Sequence, residues 1–192
     1  MTTTGGALEL GRGLRDTLGR YATGVAIITA SDRGRRAGLT VNSFTSVSLD
    51  PPLVLWCLNE TSSTWAVFSA AGHFAVHVLA AEQNGLALAF ARPGDRFAGA
   101  PVEPGPYDLP LLSGAIATLV CRREKLIHAG DHLVLIGEVI DHRMAAGVPL
   151  LFVDGSFRAG PLTERARRPA RGDLPAARSQ QPVVPLIAGK PG

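Results

Sequence analysis

The sequence predicts a mainly β protein with a few short helices, arranged as an antiparallel barrel. Six or more segments carry strand patterning, while helical patterning is confined to short stretches. Turn residues such as Ala129-Gly130-Asp131 and Asp154-Gly155 stand between the strand segments, which favours hairpins over long crossovers.

In chain order, residues 8–20 read as an amphipathic helix. Leu14, Leu18 and Tyr21 fall at helical spacing, Arg12 stands four residues before Asp16, and Gly24 ends the element. Val25–Ala30 is a short apolar strand, and SDRGRR is the turn after it. One strand is then expected from Ala37 to about Ser48. Alternation puts Val41, Ser43, Thr45 and Val47 on one face and Thr40, Asn42, Phe44, Ser46 and Ser48 on the other. Asp50-Pro51-Pro52 stops it, because proline cannot donate to a ladder.

Leu53–Leu58 is apolar throughout and reads as a buried strand. Thr64–Ala71 is a short helix ended by Gly72, His73–Leu79 a strand, and Ala81–Ala91 a second helix. Residues 92–109, rich in Gly and Pro, read as a loop. Two long strands follow, near 115–127 and 132–142, and a last strand covers 149–153. From Thr163 to Gly192 proline and arginine are dense and periodicity is lost. The expected organisation is one domain over 1–162 and a flexible or surface-wrapping tail over 163–192.

Hydrophobic residues make up 46% of the 192 and charged residues 18%, which suits one domain with a sizeable core. The net charge of +3 belongs to the tail. Residues 163–192 hold six basic and two acidic side chains, whereas residues 1–162 hold thirteen and fourteen. A nucleic-acid-binding core is therefore not expected. No apolar run reaches the length of a membrane span, and MTTTGGALELGRG lacks the order of a signal peptide. Cys57 and Cys121 lie in apolar stretches, so two buried thiols in a cytoplasmic protein are expected.

The chemistry narrows quickly. His73 and His77 have the spacing of a helical zinc pair, but HFAVHVL alternates as a strand, which would part the rings by about 13 Å. GxSxG is absent, neither cysteine has an activating partner in sequence, and Gly11-Arg12-Gly13 follows no strand. The distinctive feature is the 37–64 stretch, with hydroxyl and amide groups on both strand faces and little charge. It calls for an uncharged polar ligand. Asn59-Glu60-Thr61-Ser62-Ser63-Thr64 leads from a strand into a helix, and its hydroxyls suit a phosphate as well as a plain N-cap.

RYATGVAIITA, GLTVNSFTSVSLDPPLVLWCLN, HFAVHVLA, DRFAG and GDHLVLIGEV stand here in an order and spacing that resembles the flavin reductase-like, FMN-binding split-barrel family. The chain looks most like the NAD(P)H:flavin oxidoreductases that serve two-component flavin-dependent monooxygenases. The resemblance covers roughly residues 14–157. It implies a split β-barrel, Greek-key-like, forming a homodimer with flavin near its interface. It also implies reduction of FMN or FAD by NADH or NADPH, and a monooxygenase component as partner.

By the same resemblance Thr40, Val41, Asn42 and Ser43 lie along the flavin ring, and Cys57, Leu58 and Asn59 meet its polar edge. Ser62, Ser63 and Thr64 would take a phosphate, with Arg96 nearby and Phe157 stacking. His132 in GDH would position the nicotinamide, with His128 outside that pattern and expected to tolerate replacement. Two positions depart from the family. Glu60 stands where many relatives carry arginine, and a carboxylate beside a phosphate is unfavourable unless it points away. Phe157 stands where a tyrosine is common. Within the fold, a non-catalytic flavin carrier or another small-ligand binding module remains open.

Overall fold

The computed structural model describes residues 4–161. Helix α1 spans Thr4–Gly19. The strands are β1 Thr23–Gly24, β2 Ala26–Asp32, β3 Arg35–Val41, β4 Thr45–Leu49, β5 Pro52–Asn59 and β6 His73–Val78. They continue with β7 Val102–Pro104, β8 Pro110–Leu112, β9 Ala117–Ala129, β10 His132–Met144, β11 Leu150–Val153 and β12 Ser156–Ala159. Helix α2 is Trp65–Ala70 and α3 is Asn84–Ala91.

Seven strands form the main sheet in the order β3-β2-β6-β9-β10-β5-β4, and every pair is antiparallel. Its two edges, β3 and β4, are joined by only three residues. A flat sheet of that size would set its edges about 29 Å apart, at ~4.8 Å per strand step. The four steps from Val41 to Thr45 reach at most about 14 Å. The sheet must therefore curl until its edges nearly meet. No ladder joins β3 to β4, so the curled sheet remains split along that seam.

This corrects the expectation of one strand over 37–48. β3 pairs with β2, while β4 pairs with β5 at the opposite edge. Val41 is buried and Val47 is 47% exposed, so the two do not share a face. Alternation survives inside each piece, but the turn between them resets it.

The alternation of β2 feeds two cores. Ile28 joins the barrel interior with Trp56, Leu58, Phe68, Phe74, Leu133 and Leu135. Ile27 joins a second cluster with Leu79, Phe90, Leu112 and Leu150, closed by α3 and β11. Trp56 meets Phe68 and Phe74 edge to face at 4.9 and 5.9 Å. The hairpins β2–β3 and β11–β12 turn through Arg33-Gly34 and Asp154-Gly155, each pair with positive φ at both residues. That is the two-residue turn whose twist matches the flanking strands.

Other differences have local causes. The 92–109 stretch is not all loop, because β7 and β8 pair within it and bury Leu109, Leu111 and Leu112. Asp154-Gly155 turns into a further strand, β12, which extends a small sheet with β1 and β11. Helix α1 begins at Thr4, earlier than the pattern suggested, and its expected core stripe is exposed: Leu14 55%, Leu18 64% and Tyr21 77%. Cys57 is half-buried rather than buried, and it and Cys121 are both free thiols. The side chain of Arg12 and the tail from Thr163 lie outside what is described.

His73 and His77 do lie on a strand. The Nδ1–H of His77 donates to the Ile27 carbonyl (3.0 Å), and its Nε2 accepts from the Leu112 N–H (3.0 Å). Both nitrogens are thus spent on holding β2, β6 and β8 together. His73 stacks on Tyr107 at 3.7 Å, nearly coplanar.

Candidate functional site

The seam between the sheet edges is where the polar residues of 37–64 come together. Asn42, Ser43 and Phe44 belong to no ladder. Ser43 Oγ accepts the backbone N–H of Cys57 at 3.0 Å, which fixes the seam turn against β5. Thr40 Oγ1 donates to the Ala87 carbonyl (2.6 Å), tying the end of β3 to α3. Val41 and Leu58 point into the barrel and are buried, while Asn42 is exposed and Cys57 and Asn59 are half-buried. A run of residues without ladder partners therefore faces uncharged side chains. Burial raises the Cys57 thiol above its usual range, which suits a neutral wall rather than a nucleophile.

The β9–β10 hairpin forms one rim of this region. His132 stands in register with Asn59, and Val134 with Cys57. His132 Nδ1–H donates to Asp131 Oδ1 at 2.7 Å. That bond, above all, holds the Asp131 carboxyl below its usual range. Asn59 Nδ2 donates to Asp131 Oδ2 (3.4 Å), and the Glu60 N–H donates to the Asp131 carbonyl (3.0 Å). The rim is thus one network that joins the end of β5 to His132.

Glu60 points away from the 62–64 hydroxyls. Its Oε1 accepts from His128 Nδ1 at 2.9 Å, and the His128 ring lies 6.1 Å from Trp65. His128 is therefore a structural partner of the loop, contrary to the expectation that it stands apart. Pattern reasoning offered no signal for this pair, because its members are 68 residues apart.

The 59–64 loop spends much of its polarity on itself. Asn59 Oδ1 accepts from the Thr61 N–H (2.9 Å) and hydroxyl (2.5 Å). Ser62 and Thr64 hydroxyls bond one another at 2.8 Å, and Ser62 Oγ also accepts the Thr64 N–H. Ser63 is exposed. Helix α2 has only six residues and no side-chain cap, so its dipole adds little.

Arg96 sits on the other side of the seam. Its Nη1 donates to the Gly38 carbonyl and its Nε to the Arg92 carbonyl, both at 2.9 Å. It orders the loop after α3 against β3. Phe157, on β12, meets Phe152 at 5.5 Å and packs on the second core. Thr40, Asn42, Ser43, Cys57, Asn59 and His132 are thus linked through the seam and the rim, whereas Arg96 and Phe157 are held by other elements.

Residues 18–161 match the model of the "Flavin reductase like domain" family. The chain belongs to that family. It is 44% identical over 149 residues to the FMN reductase (NADH) SmoA of Agrobacterium fabrum, covering 78% of this chain and 86% of that protein. The reductase subunit HsaB of a flavin-dependent monooxygenase of Rhodococcus jostii is 38% identical over 167 residues, covering 86% of each. Among solved structures, the Streptomyces globisporus NADH:FAD oxidoreductase SgcE6, in complex with NAD and FAD fragments, aligns with a TM-score of 0.74 at 38% identity. That alignment covers 78% of this chain and 92% of the other. The split sheet and its seam are thus a flavin reductase fold, and the polar stretch of residues 37–64 runs along that seam.

Proposed function

We infer that this chain reduces a flavin with a nicotinamide and delivers the reduced flavin to a separate flavin-dependent monooxygenase. One observation carries the reading: in a chain of the flavin reductase family, the unladdered turn Asn42–Phe44 and the uncharged end of β5 face a rim bearing His132. An isoalloxazine has an apolar body and a donor–acceptor edge. Main-chain groups and neutral side chains match that edge without burying a charge.

In this reading Thr40, Val41, Asn42 and Ser43 border the ring, and Cys57, Leu58 and Asn59 its polar edge. Ser62, Ser63 and Thr64 take a phosphate, Ser62 and Thr64 by turning hydroxyls that now bond each other. Arg96 supports β3 and Phe157 closes the far side. When bound, a nicotinamide would supply a hydride to the flavin. The protein's own work would be to align the two rings and to exclude water. His132 positions the carboxamide and moves no proton.

The flavin is FMN or FAD and the reductant NADH, with NADPH the alternative. Steady-state kinetics with each pair decides among them. SmoA, an FMN reductase (NADH), and SgcE6, an NADH:FAD oxidoreductase, support NADH with either flavin. Two free thiols suit the cytoplasm.

The functional unit is a homodimer. Over Leu53–Leu58 and Leu133–Ile136, β5 and β10 are apolar on both faces, and the outer set, Leu53, Leu55, Val134 and Ile136, is only half-covered. Light scattering at low micromolar concentration should give twice the chain mass of 20.1 kDa; a value near the chain mass overturns the dimer.

Anaerobic mixing of the flavin-loaded protein with NADH tests the activity. A reductase bleaches the visible flavin band within seconds. A band that persists would make the chain a carrier or a binding module.

A further inference from the structure

The hydrogen bond between Asp131 and His132 sets which nitrogen of the imidazole is free. A carboxylate oxygen only accepts, so the 2.7 Å contact to Oδ1 requires a proton on Nδ1. In the neutral ring Nε2 is then a bare acceptor. Free histidine side chains favour the opposite form, with the proton on Nε2. The side chain of Asp131 is 84% exposed. Its other oxygen takes the Asn59 amide, and its backbone carbonyl takes the Glu60 N–H, so the carboxylate is steered from both sides.

We propose that Asp131 is a positioning residue that holds His132 in the Nδ1–H tautomer, presenting Nε2 as the acceptor for the primary-amide N–H of the nicotinamide. This rests on the reading that His132 faces the nicotinamide. It adds a chemical selectivity to that reading: the site prefers a reductant whose ring carries an amide donor over one carrying a ketone at the same place.

Nitrogen-15 shifts of the imidazoles, assigned against His132→Ala at about pH 8, where an ordinary histidine is neutral, report the tautomer directly. The wild-type protein should show His132 protonated at Nδ1, and Asp131→Ala should move it toward Nε2–H. In kinetics Asp131→Ala should raise the NADH KM roughly three- to tenfold, the scale of one neutral hydrogen bond. Melting temperature should hold, and flavin affinity should change less than the NADH KM, because Asp131 reaches the flavin edge only through the long Asn59 contact at 3.4 Å. The double variant Asp131→Ala/His132→Ala should be no worse than His132→Ala alone. The preference for NADH over reduced 3-acetylpyridine adenine dinucleotide, a ketone in place of the amide, should shrink in Asp131→Ala.

A wild-type His132 in the Nε2–H form, or effects of the two variants that add, would overturn the role of Asp131 while leaving His132 in place. An unchanged NADH KM in His132→Ala would instead overturn the placement of His132 and, with it, any selectivity that Asp131 confers.

Discussion

Ser43 and Cys57 are joined across the seam of the split sheet, with the hydroxyl oxygen of one accepting the main-chain N–H of the other at 3.0 Å. The bond links a turn outside the ladders to β5, the strand next to the sheet edge. It fixes how far the seam turn stands from β5.

Ser43→Ala leaves the half-buried Cys57 N–H without its acceptor. Stability should fall by about 1–3 kcal/mol and flavin affinity should weaken with it. Urea denaturation and flavin titration measure the two. A variant with unchanged flavin affinity would show that the seam turn does not border the ring.

Asn42 is exposed in the seam and makes no side-chain bond among the described residues, so Asn42→Leu separates binding from stability. Flavin binding should weaken by roughly 1–3 kcal/mol at an unchanged unfolding midpoint. Normal titration would move the ring's polar edge elsewhere.

His77 is buried and neutral, its pKa pushed down to about 4 by desolvation, which the Ile27 bond only partly offsets. The unfolded chain, with an ordinary histidine near 6.5, binds more protons than the native one between these values. The stability from neutral His77 is complete above about pH 6.5, declines as pH falls, and levels off below about pH 4, for a loss of about 3 kcal/mol. Urea midpoints between pH 8 and pH 4, compared with His77→Leu, should show this slope in the wild type and a flatter profile in the variant. Parallel profiles would rule the histidine out as the cause.

A β-carbon on Gly38 would stand 2.5 Å from Phe90 Cε1 and 3.2 Å from Phe97 Cζ, and Phe90 is fully buried. Gly38→Ala should therefore cost about 1–3 kcal/mol through overpacking and displace β3 from α3. A melting temperature equal to wild type would show that α3 yields freely.

His132→Ala should raise the NADH KM roughly three- to tenfold with little change in flavin affinity. His128 is no neutral control, because its replacement frees Glu60 and uncovers Trp65. His142, exposed near the far end of β10, serves instead and should tolerate alanine. Anaerobic stopped-flow reduction compares the two. Equal rates in both would take His132 out of the site.

Local pattern was not enough for β7, β8 or β12, but it was for β2, β5, β6, β9, β10 and β11, the hairpin turns at Gly34 and Gly155, and the clustering of neutral polar residues over 37–64. Each depends on neighbours within a few residues, where alternation and turn chemistry act. The split after Val41 was not legible. Ser43 and Phe44 continue the period of two, and only pairing with β2 on one side and β5 on the other reveals the break. The exposure of Leu14, Leu18 and Tyr21, the spent nitrogens of His77 and the Glu60–His128 pair were likewise invisible. Periodicity says which residues share a face, but not what that face meets. What it meets is decided by the curl of a seven-stranded sheet whose edges are tied by three residues, a constraint that exists only once every strand has found its partner.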